Sequence, residues 1–158
     1  MLVKNIIQED FANYKTCSMF IGFPSCTWKC ERDCGLKGLC QNAELAKAPT
    51  IAIPMAELLL TYQNNPLSHA IVCGGLEPFD SWDSLQYLVE TFRVVVTDPI
   101  VIYTGYTKEE LSDKIEWLKQ YKNIIIKFGR FRPNEESHYD ELLGVNLASS
   151  NQYAERIS

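Results

Sequence analysis

The chain has 158 residues, 46% of them hydrophobic and 22% charged, with a net charge of −5 and a sequence pI of about 5.1. That length suits one domain with its own core, expected to span 1–158, and the composition excludes a disordered or collagen-like chain. The acidic balance excludes a nucleic-acid binder that neutralises phosphates and a polybasic membrane-surface protein, so neither nucleic acid nor membrane is an expected partner.

No apolar run reaches the ~18 residues of a membrane helix. Met1 to Asp10 lack the basic start, apolar middle and small-residue cleavage site of a signal peptide, so a cytoplasmic location is expected. Ser18-Met19-Phe20-Ile21-Gly22-Phe23 predicts the first strand. Cys26, Cys30, Cys34 and Cys40 follow it in one loop. Pro54 suits a first helical position, and Met55 to Gln63 are good helix formers. Ala70-Ile71-Val72-Cys73 predicts a second strand, ended by Gly74-Gly75. Asp80 is placed to cap a helix whose Leu85, Leu88, Val89 and Phe92 share one face. Ile100 to Tyr103 predicts a third strand, ended by Thr104-Gly105. Thr107-Lys108-Glu109-Glu110 reads as a capping box, with Leu111, Ile115 and Leu118 at helical spacing behind it. Ile124-Ile125-Ile126 predicts a fourth strand, ended near Gly129.

The remaining singled-out residues have plain readings. Lys127, Arg130 and Arg132 form a local basic cluster, read as a solvated loop. Cys17 and Cys73 read as small buried hydrophobes. Trp28, Trp82 and Trp117 read as packing residues, and His69 and His138 as surface or packing residues. Continuous β-branched runs suit strands buried on both faces. Their alternation with helices predicts an α/β fold of parallel βα units. Four or five such units are too few for a closed eight-stranded barrel, which takes about 250 residues. An open or partial barrel is expected, its site at the C-terminal strand ends where Gly74-Gly75 and Thr104-Gly105 fall.

Four cysteines so close together suit metal or redox chemistry in a reducing compartment better than disulfides. An all-thiolate zinc site, an iron–sulfur cluster and a thiol redox switch are the options. Structural zinc sites typically pair two CxxC knuckles. The gaps here are three, three and five residues, which favours the cluster over zinc. A redox switch leaves the downstream glycines unexplained.

Cys26-Thr27-Trp28-Lys29-Cys30 together with Cys40-Gln41-Asn42 resembles the radical S-adenosylmethionine (SAM) superfamily. Its three cysteines hold three irons of a four-iron cluster and leave the fourth open to SAM. The family's usual gaps are three then two residues. This chain departs at the second gap, which is three to Cys34 or nine to Cys40. The resemblance implies Cys26, Cys30 and Cys40 as metal ligands, with Cys34 the competitor for the third place. Gly74-Gly75-Leu76-Glu77-Pro78 resembles the superfamily's Gly-Gly-Glu-Pro turn with one residue inserted. In relatives that turn accepts hydrogen bonds from the SAM amino group, and glycines let the ligand reach the backbone.

Further segments resemble one branch, the activating proteins of anaerobic (class III) ribonucleotide reductase. They are Asp10-Phe11-Ala12-Asn13, the run Tyr103-Thr104-Gly105-Tyr106-Thr107-Lys108-Glu109-Glu110-Leu111, and Ala148-Ser149-Ser150-Asn151-Gln152. Lys127-Phe128-Gly129-Arg130-Phe131 resembles the family's Asp-Gly-x-Phe segment loosely. The resemblance runs from about residue 10 to 153. It implies a partial (βα) barrel of radical SAM type with about four to six parallel strands. It implies a 4Fe-4S cluster and SAM as cofactors, with Asn42, Gly74, Gly75, Glu77, Tyr103, Thr104 and Gly105 walling the SAM pocket. No catalytic residue is implied beyond these ligands. The implied activity is reductive cleavage of SAM to place a glycyl radical on anaerobic ribonucleoside-triphosphate reductase. That reductase is then the partner, and flavodoxin or ferredoxin the electron donor. Two other readings stay open: a small radical SAM enzyme acting on a peptide or metabolite, and a non-catalytic cysteine-based metal-binding or redox module.

Overall fold

The four predicted apolar runs form the centre of one sheet. The computed structural model describes all 158 residues. Its strands are β1 (Leu2–Val3), β2 (Asn5–Asp10), β3 (Ser18–Phe23), β4 (Ile51–Ala52), β5 (Ile71–Gly75), β6 (Ile100–Tyr103), β7 (Ile124–Phe128), β8 (His138–Asp140), β9 (Val145–Leu147) and β10 (Tyr153–Arg156). Its helices are α1 (Lys29–Cys34), α2 (Ala43–Lys47), α3 (Met55–Gln63), α4 (Trp82–Arg93) and α5 (Ser112–Leu118). The main sheet has six strands in the order β10-β7-β6-β5-β3-β2. Neighbours among β3, β5, β6 and β7 run parallel, while β2 and β10 pair antiparallel at the two rims. No helix is long and apolar enough to cross a membrane.

Alternation along the strands splits the interior in two. Met19, Ile21, Ile71, Cys73, Ile100, Ile102, Ile124 and Ile126 point to one face, where α3, α4 and α5 bury Leu58, Leu85, Leu88, Phe92, Ile115 and Leu118. Phe20, Val72, Val101 and Ile125 point to the other face. There they meet no helix but Tyr14, Leu143 and Leu147 from the segments around the sheet. The strand runs are mostly apolar because both faces are covered, each in a different way.

This architecture corrects the expectation of a partial barrel of radical SAM type. Only four strands are parallel, the sheet is open and mixed, and all three long crossover helices lie on one face. The physical reason lies after β7. Residues 129–152 carry no further helix; they form the small β8–β9 hairpin. The chain then returns as β10, antiparallel to β7, which ends the series of βα units. The rim strands β2 and β10 went unread because they mix polar with apolar residues and are half-exposed.

Two helix starts also differ in detail. The Thr107–Glu110 capping box is present: Glu110 N donates to Thr107 Oγ1 at 3.4 Å and Thr107 N donates to Glu110 Oε2 at 2.9 Å. It opens a 3-10 turn, Glu109–Leu111, ahead of α5. Asp80 does not cap α4, which follows Ser81. Its carboxylate is engaged elsewhere, as described next.

Candidate functional site

The C-terminal ends of the parallel strands open onto a cavity of about 300 Å³. Its floor follows from register. Gly22 pairs with Gly74, and Tyr103 pairs with Lys127. Phe20, Gly74, Tyr103 and Lys127 lie on the sheet face away from the helices and line the cavity. Val145 to Ala148 of the hairpin segment, with Gln152, form the opposite wall. Cys26, Cys30, Cys40 and Asn42 close one end, beside Gly75, Glu77, Thr104 and Gly105. Every sequence-predicted site residue except Cys34 therefore lines one cavity. Cys34 ends α1 and does not reach it.

Backbone is laid bare where the strands stop. A side chain at Gly74 would press its Cβ to 2.9 Å from the Phe20 ring. Asn42 Nδ2 donates to the Gly75 carbonyl at 2.5 Å, tying the end of the cysteine loop to this turn. Tyr103 OH donates to the Asn13 carbonyl at 2.6 Å and fixes the far side. Asn13 is held in turn by Asp10, which accepts from its Nδ2 at 3.0 Å.

Glu77 is 6% exposed and organises the next loop. It accepts from Thr104 Oγ1 at 2.8 Å, Gly105 N at 2.9 Å and Phe79 N at 3.2 Å. Burial pushes its carboxyl up to about 7, and these three donors only partly oppose that. Between pH 4.5 and about 7 the folded chain therefore holds a proton that the unfolded chain has lost. Stability from this group is full below about 4.5 and falls as pH rises through 7. In urea titrations of the metal-free chain at pH 5 and pH 7.5, the native protein should lose more stability than Glu77→Gln, which has nothing to titrate there. Equal losses would rule this out.

The cysteine loop is fastened by side chains from other strand ends. Thr27 N donates to Asp80 Oδ2 at 2.6 Å and Tyr106 OH donates to Asp80 Oδ1 at 2.5 Å. Asp80 thus anchors the loop instead of capping α4. Trp28 turns the chain with a left-handed backbone, φ 57°. Cys26 Sγ accepts from Trp28 N at 3.2 Å and Cys40 Sγ from Asn42 N at 3.4 Å. Burial pushes the Cys26 thiol up to about 12, helped by the carboxylates of Glu77 and Asp80, and pushes Cys30 up as well. Metal uptake must therefore displace protons from these thiols, as thiolate ligation requires. No group of three or more His, Cys, Asp or Glu side chains is tight enough to hold a single ion.

Sequence reasoning misplaced the basic cluster. Lys127 is 7% exposed and lines the cavity, its one hydrogen bond going to the Gly129 carbonyl at 3.1 Å. Burial lowers its ammonium to about 8. The signal was its place directly after Ile124-Ile125-Ile126, inside the strand. Arg130 is ion-paired to Glu110 and Asp33, and only Arg132 is in an exposed pair, with Glu135. Ser149 to Gln152 are tied down by hydrogen bonds. Gln152 Oε1 accepts from Ala148 N at 3.0 Å, its Nε2 donates to the Gly129 carbonyl at 3.2 Å, and Asn151 Nδ2 donates to the Arg130 carbonyl at 2.9 Å. Val145 to Leu147 of the hairpin wall carried no sequence signal.

Residues 15–153 match the sequence model of the 4Fe-4S single cluster domain family. The chain belongs to that family. The match covers the cysteine loop, all four parallel strands and the hairpin wall. No curated protein and no solved structure matches the chain. As a 4Fe-4S single cluster protein the chain has a use for the cysteine loop that fits its chemistry: half-buried Cys26, Cys30 and Cys40 stand at one end of a cavity. An iron–sulfur protein of this kind is compatible with an oxidoreductase.

Proposed function

We propose that this 4Fe-4S protein is a radical SAM activase that places a glycyl radical on an anaerobic ribonucleoside-triphosphate reductase. The observation that carries the reading is the sharing of one cavity. Three of the four clustered cysteines stand at its end, and the space beside them is walled by Asn42, Gly74, Gly75, Glu77, Tyr103, Thr104 and Gly105. Cys26, Cys30 and Cys40 would hold three irons. Cys34, outside the cavity, leaves the fourth without a side chain from this chain. When bound, the cluster supplies one electron to the sulfonium of SAM, whose cleavage gives methionine and a 5′-deoxyadenosyl radical able to take hydrogen from a glycine.

The chain's own residues bind, orient and exclude water. Bare backbone at Gly74 lets an amino-acid portion lie against the strand end. Glu77 holds Thr104 and Gly105, so that wall is in place before a ligand enters. The hairpin wall and Tyr103 shield the inner end, where water would quench a radical. This reading needs no barrel: the cavity lies at the ends of the parallel strands, and a partner's glycine loop would have to enter it from solvent. Flavodoxin or ferredoxin would supply the electron.

Incubating the anaerobically reconstituted protein with reductant and SAM should yield 5′-deoxyadenosine; none, from iron-loaded protein, rejects the reading. A glycyl radical signal on the reductase in electron paramagnetic resonance separates an activase from a small radical SAM enzyme acting on a peptide or metabolite.

A further inference from the structure

Helix α1 is an unusual support for a metal ligand. It has six residues, none of them buried, and left-handed residues, Trp28 and Gly35, flank it on both sides. So short a helix is not stable by itself, and no packing fixes it. Polar contacts do. The Glu110 carboxylate accepts from Lys29 Nζ at 2.5 Å, next to Cys30, and from Arg130 Nη2 at 2.7 and 2.9 Å. Arg130 Nε lies 2.9 Å from Asp33 Oδ2 at the other end of the helix. That approach is off the N–H direction, so it acts as an ion pair and not as a formed hydrogen bond. Both ends of α1 are thus held by one Glu110–Arg130 unit.

Arg130 is also close to the sulfur. A methyl group on Gly105 would sit 3.3 Å from Cys30 Sγ and 3.6 Å from Arg130 Cγ, so the two side chains flank the same glycine. The Arg130 side chain is 13% exposed against 35% for Lys29. Its charge is the less screened of the two.

We propose that Arg130, locked by Glu110, is a positioning residue for the iron–sulfur cluster: it holds Cys30 toward the cavity and keeps a positive charge beside the cluster that raises its reduction potential. Reduction adds one electron to an already anionic assembly of iron, sulfide and thiolate. A nearby guanidinium stabilises the reduced form more than the oxidised one, and charges around a cluster set its potential. The inference rests on the family's cluster and on Cys30 as a ligand. It does not involve SAM, and its test omits SAM, so it can fail while the activase reading stands, and the reverse.

The test uses the full chain, reconstituted anaerobically, as native protein, Arg130→Met, Arg130→Lys and Glu110→Gln. Potential is read by titration followed in electron paramagnetic resonance, and cluster retention by iron release to a chelator. Arg130→Met should shift the potential to more negative values and release iron several-fold faster. Arg130→Lys should restore the potential but not the retention, because an ammonium keeps the charge and loses the planar fork. Glu110→Gln should release iron faster, with a potential at or above the native one, because it loosens Arg130 while removing a negative charge. A native potential in iron-loaded Arg130→Met overturns the proposal. So does an equal shift in both arginine variants, which is what a purely structural role gives. Should Arg130→Met take up no iron, Arg130→Lys decides: a near-native potential with faster release supports the proposal, and a shifted potential or native release overturns it.

Discussion

Cys26→Ala, Cys30→Ala and Cys40→Ala should each reduce iron and sulfide to background after anaerobic reconstitution, whereas Cys34→Ala should keep both. The expectation follows from position. The first three sulfurs belong to residues lining one cavity, and Cys34 does not. Thiolates are the ligands of iron–sulfur clusters, and losing one of three leaves an iron exposed and the assembly labile. Nothing else at that end of the cavity can replace a lost sulfur, since Glu77 is already committed to Thr104, Gly105 and Phe79. Iron and sulfide analysis with the visible absorbance of the protein gives the answer. Iron retained in Cys40→Ala and lost in Cys34→Ala would move the third ligand to Cys34 and require α1 to turn.

Gly75→Ala should destabilise the chain by about 3 kcal/mol or more, combining a left-handed backbone penalty of about 1–2 kcal/mol with forced overpacking. Gly75 has φ 81°, and an added Cβ would lie 2.8 Å from Gly22 Cα and 3.1 Å from Phe23 N. Those atoms are backbone of β3 and cannot step aside without parting β3 from β5. Gly35 is the control. It has φ 68° but nothing within 4 Å of the same atom, so Gly35→Ala should cost only the backbone penalty of about 1–2 kcal/mol. Urea midpoints of the two variants make the comparison, and equal destabilisation would show that the close approach of β3 and β5 carries no energy.

The parallel centre of the fold was legible because its strands are continuous apolar runs, three of them rich in β-branched residues and followed by glycine. Ser18–Phe23 and Met55–Gln63 have the bounds read from sequence. The rims were not legible. β2 and β10 each offer one edge to the sheet and the other to solvent, so polar residues are admitted and the pattern fades. The barrel expectation failed for a related reason: alternation of strands and helices fixes the direction of neighbouring strands, but not the point where the chain stops adding units.

The site was legible where chemistry is concentrated in short runs, as in the cysteine loop and Gly74-Gly75. It was hidden where charge suggested solvent. Lys127 reads as a surface lysine by type, yet strand register places it on the cavity floor opposite Tyr103. Asp80 reads as a helix cap by spacing, yet a backbone amide in the cysteine loop takes its carboxylate. In both cases a tertiary partner outweighed a local preference.

A ribosome delivers Cys26 to Cys40 long before it delivers Val145 to Ala148. During that interval the sulfur donors exist without the hairpin that later faces them. In the finished protein Gln152 stitches that late segment to Gly129, so the last wall of the cavity is also the last to be made.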